Sequence, residues 1–246
     1  MKKWIAYIIW VCFFVGCNKE DARDIVKTRG AAKTEVRGLP HFNQLHIANG
    51  VNVILRHGES NSATLEGWTN LLPKVRLTVD ATGILSISDD NRFNQIRDLS
   101  NKTTVYLSYR DEIDFIGFYG DGLLTSDGKV ESSSLTILSE GASGSIGLTL
   151  DVGSLYVGTN SKNTADLTFT GICYSVGITN WGFAPIDMRN MQAQHADITH
   201  RGTADLHVFV DQHLNAVLYG IGNIYYKGNP VLTVDRKGKG NVYKIP

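Results

Sequence analysis

The sequence predicts an all-β fold: a parallel β-helix or solenoid with coils of about 20 residues, closed at its N-terminal side by a β-sheet cap. Three observations predict it. Apolar and polar residues alternate through most of the chain from about residue 37. A small residue recurs at near-regular intervals through the second half. Of 246 residues, 25 are Gly and only 5 Pro, while 42% are hydrophobic, which suits many tight turns around a core and excludes a disordered or collagen-like chain. The 24 basic and 24 acidic residues balance, so the basic excess of a nucleic-acid binder is absent.

Residues 1–16 read as a secretory signal. Lys2 and Lys3 form a positive start, and the apolar run from Trp4 to Val15 is too short to span a bilayer as a helix. The run ends in Phe14-Val15-Gly16-Cys17. This resembles the bacterial lipobox, which implies cleavage before Cys17 and acylation of that cysteine. Two or three acyl chains, at ~0.8 kcal/mol per buried CH₂, would anchor the chain to a membrane. The acidic cluster Glu20, Asp21 and Asp24 resembles the export tag of surface lipoproteins in Bacteroidetes-type bacteria, and it reads equally well as part of a solvated tether. Residues 17–36 as a whole are charged and poorly patterned, and are predicted to be a lipidated flexible tether. The expected location is the bacterial cell envelope, at the outer membrane, facing either the periplasm or the outside.

From 37 to 112 the chain reads as an N-terminal sheet region. Val51, Val53 and Leu55 alternate, as do Val75, Leu77 and Val79, then Leu85 and Ile87, then Val105, Leu107 and Tyr109. Phe93, Ile96 and Leu99 lie three apart, the spacing of a short helical turn.

Residues 113–246 are repetitive. A small residue, a variable one and an aliphatic recur as Gly122-Leu123-Leu124, Gly144-Ser145-Ile146, Ala165-Asp166-Leu167, Ala184-Pro185-Ile186, Ala204-Asp205-Leu206, Gly222-Asn223-Ile224 and Gly240-Asn241-Val242. Upstream lie second alternating pairs, such as Leu135 with Ile137, Leu155 with Val157, Leu214 with Ala216, and Leu232 with Val234. Two short strands per unit suit coils stacked at about 4.8 Å, with the small residue at a corner where the next coil approaches. Antiparallel hairpins of a β-sandwich would also give closely spaced strands. The sevenfold corner favours the solenoid.

The stretch Gly220-Ile221-Gly222-Asn223-Ile224-Tyr225-Tyr226-Lys227-Gly228-Asn229-Pro230, followed by Gly238-Lys239-Gly240-Asn241-Val242, resembles the auto-transporter adhesin, head GIN domain family. Phe42, Gly50-Val51-Asn52-Val53 and Asn70-Leu71-Leu72 fit the same pattern. The resemblance spans about residues 35–246. It implies one β-solenoid-like domain outside the cytoplasm with an adhesive or binding role, and it brings no catalytic residue.

The residue three before each corner gives the column Tyr119, Gly141, Lys162, Trp181, Arg201, Tyr219 and Lys237. Its last five members, Lys162, Trp181, Arg201, Tyr219 and Lys237, alternate cation and aromatic. Stacked in register they would lie within cation–π reach of one another, about 6 Å. They are the candidate ligand-binding residues, with rings for sugar faces and cations for carboxylates or sulfates. The expected partner is an extracellular glycan, polyanion or protein.

No cofactor, metal or catalytic residue is predicted. His195, His200, His207 and His213 cluster in sequence, but outward-facing alternation accounts for them; His195 and His213 could stack in successive coils. Cys173, in Ile172-Cys173-Tyr174, reads as a buried thiol filling core space. The chain lacks a Walker-type loop, His-Glu-x-x-His and Gly-x-Ser-x-Gly. A β-helical polysaccharide-active enzyme is the alternative, and it would need paired acids in a cleft. Asp166 and Asp205 share a corner position two coils apart, roughly 10 Å, which is slightly wide for such a pair. A purely structural envelope protein is the third reading. At the C-terminal end, Lys244 and Pro246 are expected to blunt an exposed edge.

Overall fold

The computed structural model describes residues 30–91 and 102–246. The signal segment, Cys17 and the short helix expected around Phe93–Leu99 lie outside the described residues. Among the described residues sixteen β-strands follow one another, with one 3-10 turn at Leu72–Lys74. From β9 (Leu123–Ser139) the strands are long and parallel: β10 (Ser145–Thr159), β11 (Asp166–Asn180), β12 (Ile186–His200) and β13 (Leu206–Leu218) each pair with the next. Above β13, β14 (Ile224–Lys227) and β15 (Val231–Arg236) share one level, and β16 (Val242–Lys244) begins the next on β14. The result is a parallel β-solenoid of about six turns.

The stacking rests on ladders of like residues. Leu124, Ile146, Leu167, Ile186, Leu206, Ile224 and Val242 are mutual register partners in that order. Leu135, Leu155, Val176, Ala196, Leu214 and Leu232 form a second ladder. All but the terminal members, Val242 and Leu232, are buried. Burying one such aliphatic side chain contributes about 1.5–3 kcal/mol, which no single coil could collect alone because its inner side needs a neighbour above and below.

Each long strand also turns midway. The inward positions mostly step by two along a strand, with an early step of three in β12 from Met188 to Met191, but at a shared level midway they step by three: Val152 to Leu155, Cys173 to Val176, and Ala193 to Ala196. That change of phase makes a second corner, opposite in the winding to the loop corner. At the loop corner the small residues Gly122, Gly144, Ala165, Ala184, Ala204, Gly222 and Gly240 fall at one register level throughout. The reason is steric: a Cβ on Gly144 would run into the carbonyl oxygen of Gly122 one coil below.

Parallel winding begins before Ile113. β2 (Gln44–Ile47) pairs in parallel with β8 (Phe115–Phe118), and β3 (Val51–His57) pairs in parallel with β9. Leu85, Leu45 and Ile116 extend one core ladder into Ile137, Val157, Ile178 and Ile198. The cap proper is antiparallel: β1 (Ala32–Gly38) on β4 (Ser62–Trp68), β4 on β7 (Thr103–Tyr109), and β5 (Val75–Val79) on β6 (Ile84–Asp89).

The stretch read as a tether is corrected at its C-terminal end, because Ala32–Val36 belongs to strand β1. Its charges alternate along an edge strand and satisfy one another. Glu35 accepts from Lys33 at 2.9 Å and from Arg37 at 2.8 Å, and Arg37 also donates to the carbonyls of Val75 and Leu72. A charged edge of this kind protects the cap from further pairing. The other end is barer. In β15, Val231, Leu232 and Val234 are 66%, 39% and 43% exposed, because no coil lies beyond them.

Candidate functional site

The site is built on the loop corner. Three equal backbone bonds set its spacing: Arg201 N–H donates to Asn180 O, Tyr219 N–H to His200 O, and Lys237 N–H to Leu218 O, each 2.8 Å. Each donor is the first residue beyond a strand, and each acceptor is the last strand residue one coil below. Trp181 takes a different partner: its N–H donates to the Thr159 hydroxyl at 2.9 Å. Four side chains therefore stand one above another. The Arg201 guanidinium carbon is 4.9 Å from the Trp181 ring centroid and 3.8 Å from that of Tyr219. Lys237 Nζ is 5.0 Å from the Tyr219 centroid and donates to its hydroxyl at 3.2 Å.

Lys162 does not join this column. Its register equivalent is Asn160, since Ser139, Thr159 and Asn180 precede Glu140, Asn160 and Trp181 at one level. The corner loop Asn160–Ala165 is two residues longer than the later ones, so counting back three from its small residue stops two residues short of the column position, Asn160. Lys162 instead closes a local turn, its N–H donating to Asn160 Oδ1 at 3.1 Å. By the same reasoning Gly141 yields its place to Glu140, whereas Tyr119 holds its own at the first level.

Beneath the column lies a buried polar row that sequence reasoning missed. Ser139, Thr159, Asn180 and His200 occupy the last inward position of successive coils, and Leu218 follows them. Their work is to hold the loops. Thr159 Oγ1 lies 2.7 Å from Asn180 Oδ1, Asn180 Nδ2 donates to Ala184 O at 3.0 Å, and Ser139 Oγ donates to Asn163 Oδ1 at 2.9 Å. A signal existed: the residue just before each corner loop is polar in four coils running, where core ladders are otherwise aliphatic. His200 corrects the reading of all four histidines as outward-facing. It is fully buried with neither ring nitrogen hydrogen-bonded, and burial pulls its pKa down, against a smaller opposing effect of Ala204 and Asp205. His195 and His213 stack as expected, centroids 5.2 Å apart and 7° from parallel. Among the described residues no three His, Cys, Asp or Glu side chains converge on a metal site.

The electrostatics favour one residue of the column. Lys237 is partly neutralised by Asp235 at 3.1 Å, whose hydrogen bond raises the lysine pKa, with Tyr219 adding to it. Arg201 makes no ion pair or hydrogen bond through its guanidinium among the described residues, so both faces are stacked while its N–H edge is unspent. Cys173 is buried and its thiol is pushed up to about 12 by desolvation, which removes it from nucleophilic chemistry. Asp166 and Asp205 flank Pro185 at one register level, two coils apart.

The family model described as "putative auto-transporter adhesin, head GIN domain" matches residues 41–230. The chain belongs to the head GIN domain family. A structure described as a putative adhesin from Bacteroides fragilis superimposes with a TM-score of 0.79 at 19% identity, covering 87% of this chain and 97% of that one. A putative adhesin from Parabacteroides distasonis gives 0.68 at 15% identity, covering 88% and 98%. A structure from the same species described as a putative lipid binding protein gives 0.65 at 16% identity, again covering 88% and 98%. At these identities the likeness establishes the fold. No curated protein is significantly similar to the chain.

Proposed function

We propose that this head GIN domain protein is an adhesin-like binding module of the bacterial cell envelope, held to the outer membrane by a lipid on Cys17. Its ligand is an acidic glycan or related polyanion, gripped by Trp181, Arg201, Tyr219 and Lys237. The observation that carries this reading is the free N–H edge of Arg201 between two rings. A planar guanidinium with both faces covered loses little freedom on binding, and its fork matches a carboxylate or sulfate. Trp181 and Tyr219, 43% and 38% exposed, offer apolar surface for sugar rings beside that charge. The adhesin descriptions of the family and of its structural neighbours support a binding role rather than catalysis.

The site test is binding on a glycan array, comparing the wild type with Trp181→Ala and Tyr219→Ala. Loss of the acidic-glycan signal in both variants supports the proposal, and unchanged binding overturns it. For the anchor, metabolic labelling with palmitate should mark the wild type and miss Cys17→Ala. Proteolysis of intact cells distinguishes outward from periplasmic display.

A further inference from the structure

The second corner, midway along the long strands, carries a shallow cavity of about 350 Å³ lined by Asp151, Ile172, Tyr174, Gln192, Gln194 and Asp211 among others. Its chemistry differs from that of the cation column. Tyr174 and Ile172 are 58% and 47% exposed, although each sits in a strand of the solenoid. Alternation about the buried, inward Cys173 puts both outside, just before the strand turns between Cys173 and Val176. Gly153 holds the register position of Tyr174 one coil below and supplies no side chain to cover the ring. The ring is nevertheless held in place. His195 meets it edge-on at 5.0 Å and is itself stacked on His213.

The polar groups around this ring are fixed by their own bonds. Gln192 Nε2 donates to Asp211 Oδ2 at 2.6 Å, Gln212 Nε2 donates to Gln194 Oε1 at 3.2 Å, and Lys129 Nζ donates to Asp151 Oδ2 at 2.9 Å. Each bond uses one atom of a two-atom head. Asp151 Oδ1, Asp211 Oδ1 and Gln194 Nε2 are left without a partner among the described residues. Two carboxylates against one lysine leave the cavity acidic, so it repels the anions that Arg201 attracts.

We infer that this cavity is a second binding site, for an uncharged sugar ring. The aliphatic face of the sugar packs on Tyr174 and Ile172, and its hydroxyls donate to Asp211 and accept from Gln194. A shallow, mostly preformed cleft with one exposed aromatic and few placed polar groups is what such a ligand requires. The carboxylates themselves stand three coils apart, roughly 14 Å by the ladder spacing, too far to act as a hydrolytic pair. The site therefore holds a sugar without cleaving it.

The test is saturation-transfer NMR on the full chain with methyl β-galactoside, methyl α-mannoside and N-acetylglucosamine, and with glucuronate as the charged control. At least one neutral sugar should receive transfer at millimolar concentration, whereas transfer to glucuronate belongs to the corner column and should be unchanged by substitutions in this cavity. Tyr174→Ala should weaken the signal at least tenfold and Gln194→Ala several-fold, both with a melting curve close to wild type; Gln194→Ala carries the test if Tyr174→Ala does not fold. Trp181→Ala should leave the signal intact, which separates this site from the corner column. Absence of transfer to all three neutral sugars, neutral-sugar transfer that survives these pocket substitutions, or loss of glucuronate transfer in the pocket variants would overturn the inference.

Discussion

The guanidinium carbon of Arg201 lies 3.8 Å from the centroid of the Tyr219 ring, one coil away. Neither residue is close to the other in sequence, and a single backbone bond pattern at the corner brings them together. Arg201→Lys keeps the charge but removes the planar fork and the stack. It should weaken acidic-glycan binding nearly as far as Arg201→Ala, by about tenfold, as for one lost charge-assisted pair. Titration by isothermal calorimetry reads the difference, and a lysine variant that binds like wild type would show that charge alone suffices.

Buried His200 makes the fold acid-sensitive. Burial depresses its folded pKa below the ordinary 6.5, so in the window between the two values the unfolded chain binds a proton that the folded chain refuses. Stability should be flat above that window and fall as pH drops through it. His200→Leu copies the residue one coil above, Leu218, and removes two unsatisfied buried nitrogens. It should raise stability at pH 7 by about 1–3 kcal/mol and reduce the loss between pH 7 and 5. Urea melts at several pH values measure both.

Thr159→Val keeps the shape of a buried side chain and deletes its hydroxyl. Trp181 N–H and Asn180 Oδ1 then lose their partner. The expected cost is about 1–3 kcal/mol in chemical denaturation, with a change in tryptophan fluorescence as the Trp181 loop loosens.

The corner ladder predicts unequal tolerance. Gly144→Ala drives a Cβ into the Gly122 carbonyl and should destabilise by about 1–3 kcal/mol, whereas Ala184→Gly at the same register level should cost about 1 kcal/mol or less. Thermal melts of the two variants compare them directly.

Cys173 should ignore a thiol reagent in the native state at pH 8 and react fully once the chain is unfolded, because its thiol is raised to about 12 by burial. Rapid native labelling would show that the strand opens.

Much of the fold was legible because it repeats. Seven small residues and their following aliphatics mark the corner, and these are the residues that pair in register. Before Ile113 the same winding is present, but β2 and β3 are separated from their partner strands by the cap hairpins, so no fixed interval appears in the sequence. The column was legible where corner loops share one length, at Trp181, Arg201, Tyr219 and Lys237. It failed at Lys162, where extra loop residues break the count without disturbing the strands. The second-corner cavity was not legible because Ile172-Cys173-Tyr174 reads as one apolar run, which hides that only Cys173 faces inward.

The long loop Asn160–Ala165 shows what such a corner permits. Its two additional residues leave Ile146 against Leu167 and Leu155 against Val176 undisturbed. Insertions at this edge reposition outward side chains while the interior keeps its alignment, so the decoration of the molecule can diversify without renegotiating its architecture. Contact chemistry at the rim is thereby free to drift from one lineage to another on an unchanging spine.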